Sequence, residues 1–250
     1  VTAARVLRFA VAAQGVALIA LVAYTTLSRI GFPYELEWLE GWTVRSVRRV
    51  VEGQGLFVAP SVDWVPYTYT PLYTYLSAAV ARLIGVGFLA PRIVSLAASA
   101  GALALAFVIV RRETASLACG LAAAGFLAGT YPLSGSWFDI GRVDNLFLFF
   151  MLAGLWLVRV EPTRARLVAS GVLWALAYLS KQTALLPLFA VCVYTFFELR
   201  GAARFVVPAV SGAIILAATV LFSALTEGWY FFYTFTVQSL HGLGQRHLLS

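Results

Sequence analysis

Seven apolar runs, at about 6–27, 92–110, 115–134, 145–159, 167–181, 183–199 and 205–226, occupy most of this chain. About 20 apolar residues coiled at 1.5 Å each match the hydrocarbon thickness of a bilayer. The composition agrees, with 61% hydrophobic and 12% charged residues, against about 25% charged in soluble domains. A water-soluble fold is excluded. The pattern predicts an all-α polytopic membrane protein of about seven transmembrane helices, built as one membrane domain over residues 1–250. The run from Val6 to Leu27 is longer than the roughly 7–15 residues of a signal-peptide core and has no small-x-small cleavage pattern before Arg29, so it reads as a retained first helix.

The net charge of +7 comes from arginines scattered between apolar runs, with a single lysine, Lys181. No basic stripe forms, and nucleic acid is not an expected partner. Cys119 and Cys192 stand alone inside apolar runs and read as small hydrophobes. His241 and His247, without a nearby acid, are a weak metal pair.

Arginines in short loops favour the cytoplasm. With Arg5 and Arg8 inside and the stretch 71–85 lying on the outer surface, Arg111 and Arg112, the loop from Arg159 to Arg166, and Arg200 with Arg204 all become cytoplasmic. If 71–85 crossed, those loops would face outward. The expected arrangement therefore has a cytoplasmic N-terminus and a long first outer loop, 28–91, carrying membrane-parallel helices. Eight of the eleven acids then lie on the outer face.

The segment from Glu35 to Gly53 carries helical periodicity. Val44, Val47 and Val51 form a stripe, with Arg45, Arg48, Arg49 and Glu52 mostly off it. Traced backward, that stripe reaches Glu40 and Glu37, so two carboxylates share the packed face. An ionised carboxylate there needs a partner, and Arg92, Arg142 and Lys181 are the candidates. A second outer segment, Trp137-Phe-Asp139-Ile-Gly-Arg142-Val-Asp144-Asn145, runs directly into an apolar helix. Capping of that helix accounts for Asp144 but not for Asp139 and Arg142. Lys181, placed outward where cations are under-represented, suits the grip of a phosphate by a compact ammonium.

At these residues the sequence resembles the integral-membrane glycosyltransferases that use polyprenyl-phosphate sugars, the superfamily of the protein O-mannosyltransferases and the lipid A aminoarabinose transferase. The resemblance lies in the order of Leu39-Glu40-Gly41, Tyr69-Thr-Pro-Leu-Tyr73, Ala90-Pro-Arg92, Arg111-Arg112, Gly141-Arg-Val-Asp144 and Lys181. It implies a GT-C-like fold with a long first outer loop, and an Asp-Glu pair there of which one acid is the base. Here that pair reads Leu39-Glu40, with Glu37 one turn earlier. Members of that superfamily continue well past this length, so the chain is expected to be the N-terminal part of a longer protein.

The resulting expectation is a glycosyltransferase of a bacterial inner membrane, working at the extracytoplasmic face. The donor would be a polyprenyl-phosphate sugar, and the acceptor a protein, lipid or glycan. Glu40 or Glu37 would be the general base. Lys181, Arg92, Arg142, Asp139, Asp144, Tyr69 and Tyr73 would bind substrate, with Trp42 and Tyr67 adding aromatic surface. Inversion by direct displacement is implied, and neither cofactor nor divalent metal is required. Replacing Glu40 by glutamine is expected to abolish transfer and leave the fold. The competing readings are a transporter or lipid flippase, whose charges would spread along several helices, and a structural membrane subunit.

Overall fold

The computed structural model describes residues 2–240, with no strand among them. The helices are α1 (Ala3–Arg29), α2 (Trp38–Val51), α3 (Leu72–Ile84), α4 (Leu89–Thr114), α5 (Leu117–Gly129), α6 (Asp144–Arg159), α7 (Arg164–Ser180), α8 (Leu185–Glu198) and α9 (Val206–Leu225). Single 3₁₀ turns, Gln182–Ala184 and Gly201–Phe205, lead into α8 and α9, and a π turn, Phe232–Thr236, follows α9. The histidines at 241 and 247 lie outside the described residues.

Three helical stretches are long and apolar enough to cross a membrane, Ala3–Arg29, Leu89–Thr114 and Gly201–Leu225. The protein is thus an integral membrane protein. Other apolar runs make shorter helices than the sequence suggests. The run 115–134 ends its helix at Gly129, because Pro132 cannot donate to a continuing helix and Gly135 (φ +69°) and Ser136 (φ +59°) turn through the left-handed region. The run 183–199 opens as a 3₁₀ turn after an extended Lys181. The 13 residues of α3, like the 13 of α5, rise only about 20 Å against a hydrocarbon core of about 30 Å, so length alone does not separate these two helices.

Small residues set the packing. Gly15 of α1 and Gly125 of α5 touch so closely that a methyl on either would overlap the other helix's backbone, the crossing that small residues permit between membrane helices. Helix α5 packs between α1 and α4, α4 meets α6, α6 meets α7, and α7 meets α9. Val47, Ala78, Ala81 and Ala90 bring α2, α3 and α4 together. A second core gathers Leu167 and Trp174 of α7 with Leu188, Val191 and Val207.

Successive long helices alternate in direction. At one end, Arg29 closing α1 pairs with Asp139 ahead of α6, and Lys181 after α7 pairs with Asp144 opening α6. At the other, Arg159 closing α6 pairs with Glu113 near the end of α4. The first end also carries α2 and the start of α4, so the carboxylates and cations singled out by sequence share it.

Candidate functional site

Helix α2 begins where Glu37 caps it: the Glu37 carboxylate accepts from the Leu39 N–H at 3.0 Å, offsetting one exposed donor of the first turn. Three residues later, Glu40 points into the protein and is wholly buried, as its place on the Val47 stripe requires. Its oxygens are fully engaged. Oε1 accepts from Arg92 Nε (2.9 Å) and the Gly141 N–H (2.8 Å), while Oε2 accepts from Arg92 Nη2 (2.7 Å) and the Leu36 N–H (2.7 Å). Arg92 is equally committed. Its remaining N–H groups donate to the carbonyls of Phe32 (2.6 Å), Ile30 (3.3 Å) and Tyr34 (2.7 Å).

A second pair, its carboxylate buried and its arginine partly exposed, stands beside this one. Asp139 is wholly buried and accepts from Arg29 through both oxygens, at 2.6 and 2.7 Å, and from the Tyr131 hydroxyl at 3.1 Å. Arg29 also donates to the Ser136 carbonyl at 2.8 Å, gripping the left-handed turn that returns the chain toward α6. The two pairs tie the end of α1, the start of α4 and the 135–143 segment into one wall. Thr43 adds a tie from α2, its hydroxyl donating to the Gly141 carbonyl at 2.8 Å.

In front of that wall the ions alternate in sign. Glu37 lies 3.3 Å from Arg142 Nη1, Arg142 Nε is 3.1 Å from Asp144, and Asp144 is 2.7 Å from the Lys181 ammonium. Glu37, Asp144 and Lys181 each retain about a fifth of their side-chain exposure, whereas Glu40 and Arg92 retain none. The Arg142 guanidinium stacks 3.6 Å from the Trp137 ring centre, and Lys181 lies 5.5 Å from that of Tyr69. Burial opposes the Asp144 charge, yet Lys181 and Arg142 prevail and hold its carboxyl below the ordinary carboxylate range. Burial likewise opposes the charge on Arg142, and the hydrogen bond and field of Asp144, with Glu37, raise it nonetheless.

Aromatic residues complete the site. Leu39, Trp42, Thr43, Tyr67, Tyr69 and Arg142 are among those lining a cavity of about 40 Å³, room for a water or two. The strand-like stretch bearing Tyr67 and Tyr69 is sewn down. Thr70 donates to the Tyr178 carbonyl at 2.8 Å, and Gln182 to the Thr68 carbonyl at 2.7 Å. Burial, with Tyr69 beside it, pushes the Tyr67 phenol well above its usual value, so it stays a donor. Trp42, stacked on Trp64 at 5.3 Å, also lines the cavity. Tyr73 is turned into the core, its hydroxyl 2.8 Å from the Pro91 carbonyl and 2.7 Å from Ser95.

Glu37, Arg142, Asp144, Lys181 and Tyr69 thus come together at the mouth. Glu40, Arg92, Asp139 and Tyr73 form the wall behind, with their polar atoms bonded inside the protein. The sequence reading overlooked Arg29 and the stacking role of Trp137. A signal for Arg29 was present, since the orientation that makes Lys181 an outward cation makes Arg29 another.

No curated protein and no solved structure matches the chain. A family model does match, that of the dolichyl-phosphate-mannose-protein mannosyltransferases, over residues 68–226. The matched stretch holds Tyr69, Arg92, Asp139, Arg142, Asp144 and Lys181; Glu37 and Glu40 precede it. Spanning more than half the sequence, and running from the first aromatic of the mouth to the end of α9, that match means the chain belongs to the dolichyl-phosphate-mannose-protein mannosyltransferase family of membrane glycosyltransferases.

Proposed function

We propose that this protein transfers a sugar from a polyprenyl-phosphate carrier to an acceptor hydroxyl at the extracytoplasmic face of a bacterial inner membrane. The observation that carries the reading is the Glu37–Arg142–Asp144–Lys181 array. It combines a carboxylate and an ammonium, each about a fifth exposed, with the buried Arg142 guanidinium beside an aromatic-lined cavity. In this arrangement α1, α4, α5, α6, α7, α8 and α9 make seven crossings of one membrane domain, and α2 and α3 lie along the outer surface within the loop 28–91.

The donor's tail stays in lipid, and its phosphate meets Lys181 and the edge of Arg142. The acceptor oxygen attacks the anomeric carbon as the bond from that carbon to the phosphate oxygen breaks, which inverts the configuration. The acceptor's proton passes to Glu37 as general base. The leaving polyprenyl phosphate gains one negative charge, so cations fixed nearby favour the transition state over the ground state. Asp144 holds Lys181 and Arg142 at a set spacing. Tyr69 and Tyr67 offer ring surface and a phenol to the sugar. Glu40 and Arg92, with no free hydrogen-bonding position, act as positioning residues for α2, and Asp139 does the same for the 135–143 segment. Lys181 and Arg142 supply the positive charge, so the reading needs no divalent metal and no cofactor.

The test uses membranes carrying the protein, supplied with polyprenyl-phosphate sugars of several kinds. One of these is expected to release polyprenyl phosphate, and Lys181→Ala to reduce that release at least tenfold, with Lys181→Arg partly restoring it. Equal release by wild type and Lys181→Ala would remove the phosphate role and the reading built on it.

A further inference from the structure

At the end of the molecule opposite the array, Arg204 occupies the 3₁₀ turn between α8 and α9. Its guanidinium lies beside two rings that meet edge to face, 5.2 Å from the centre of Phe196 and 5.0 Å from that of Phe205. Among the described residues Arg204 has no salt bridge within 4.0 Å, and its Nε–H is buried without an acceptor. Glu198, the nearest acid in sequence, is exposed and makes no ion pair.

The turn holding this cation is firmly built. Ala203 and Val206 pack on the Leu188–Val191–Val207 core, and the Thr195 hydroxyl reaches back to the Arg204 carbonyl at 3.4 Å. Arg200, also exposed and unpaired among the described residues, precedes the turn. Phe196, Phe197 and Phe205 are exposed near the ends of apolar helices, Phe205 close to the start of the Gly201–Leu225 stretch that is long and apolar enough to cross a membrane.

Flanked on one side by the two rings, the guanidinium keeps a planar fork of N–H donors matched to two oxygens of one phosphate. A donor of a charged group left buried without a partner is costly, and an anion at that edge offsets the cost. The surroundings decide which anion. Exposed aromatic surface beside the guanidinium suits acyl chains, and a cation among the ends of membrane helices is where lipid headgroups reside.

We propose that Arg204, flanked by Phe196 and Phe205 and assisted by Arg200, binds the phosphate headgroup of an anionic phospholipid in the leaflet at this end. The site is independent of the sugar-transfer reading, because it lies at the opposite end of the helices.

The test is lipid retention by the purified full-length protein in detergent, read by native mass spectrometry after exposure to phosphatidylglycerol or phosphatidylcholine. Wild type is expected to retain phosphatidylglycerol preferentially. Arg204→Gln should lose one retained molecule, and Arg5→Gln, removing an exposed cation from the start of α1 at the same end, should lose none. Excess glycerol phosphate should not displace the lipid. Equal losses in the two variants would mean diffuse charge attraction and overturn the site, as would no loss in either. Displacement by glycerol phosphate would overturn the lipid assignment in favour of a soluble phosphate. If Arg204→Gln does not fold, Arg204→Lys carries the test. Retention several-fold weaker supports recognition by the guanidinium fork, and wild-type retention overturns it.

Discussion

Arg92 and Glu40, 52 residues apart, satisfy each other and their surroundings so fully that neither has a hydrogen-bonding position left for a substrate. The guanidinium sends two of its five N–H groups to the carboxylate and three to backbone carbonyls. Removing one partner of such a pair strands a buried charge, at a cost of about 3–5 kcal/mol.

Glu40→Gln is therefore expected to lower the thermal midpoint markedly, and Arg92→Leu to do the same, contrary to the expectation from sequence that the fold would survive. The midpoint of the purified protein in detergent, followed by size-exclusion chromatography after heating, checks this. A Glu40→Gln protein with the wild-type midpoint and no transfer would instead make Glu40 the base.

Glu37→Gln is expected to behave in the opposite way. Its carboxylate is partly open and its fold contribution is one helix cap, worth about 1 kcal/mol. Loss of a general base lowers the rate about 10²–10⁴-fold. Assays of sugar transfer alongside the thermal midpoint separate the two effects. Transfer within a few-fold of wild type would exclude Glu37 from the chemistry.

The Asp144 carboxyl, held below its ordinary range by Lys181 and Arg142 against the effect of burial, gives a pH signature. A carboxylate depressed on folding adds stability that is complete above its unfolded value, about 3.9, and lost as pH falls through the folded value. The thermal midpoint should thus show no Asp144-dependent decline from pH 7 to about 5, and a decline below about pH 4. Asp144→Asn should start lower and fall less steeply at the acid end. Curves of identical shape for both proteins would show that the carboxyl is not stabilised this way.

The orientation has its own measurement. Single cysteines at Ser61 and Ser136 should react with an impermeant thiol reagent added outside cells, while those at Thr163 and Ala202 should react only after permeabilisation. The reverse pattern would turn the protein over in the membrane and place the array at the cytoplasmic face.

The features legible in the sequence were those with a local cause. The Val44–Val47–Val51 stripe correctly set Glu40 on the packed face of α2, and the charges placed outward by the arginine bias do share one end of the helices. Partnerships were legible only as a short set of candidates. Arg29 and Asp139 are 110 residues apart, and only the packing of α1 against α5 brings the end of one beside the segment following the other. Arg92 was legible as a candidate partner for the carboxylates of α2, but the sequence gives no sign that the carbonyls of Ile30, Phe32 and Tyr34 take its remaining N–H groups. Apolar length also overstated helix length. At 130–136 hydrophobic character continues past Gly129, but Pro132 and the left-handed Gly135–Ser136 pair divert the backbone.

The contact of Gly15 with Gly125 makes α1 a lever. Two backbones that touch have no side chain between them whose rotamers could absorb a displacement. Arg29 stands 14 residues, about 21 Å, beyond that fulcrum, and its guanidinium holds the segment that delivers Arg142. A slight tilt of α1 at its pivot would therefore arrive enlarged at the mouth of the site, coupling the depth and curvature of the surrounding lipid to the spacing of the ions.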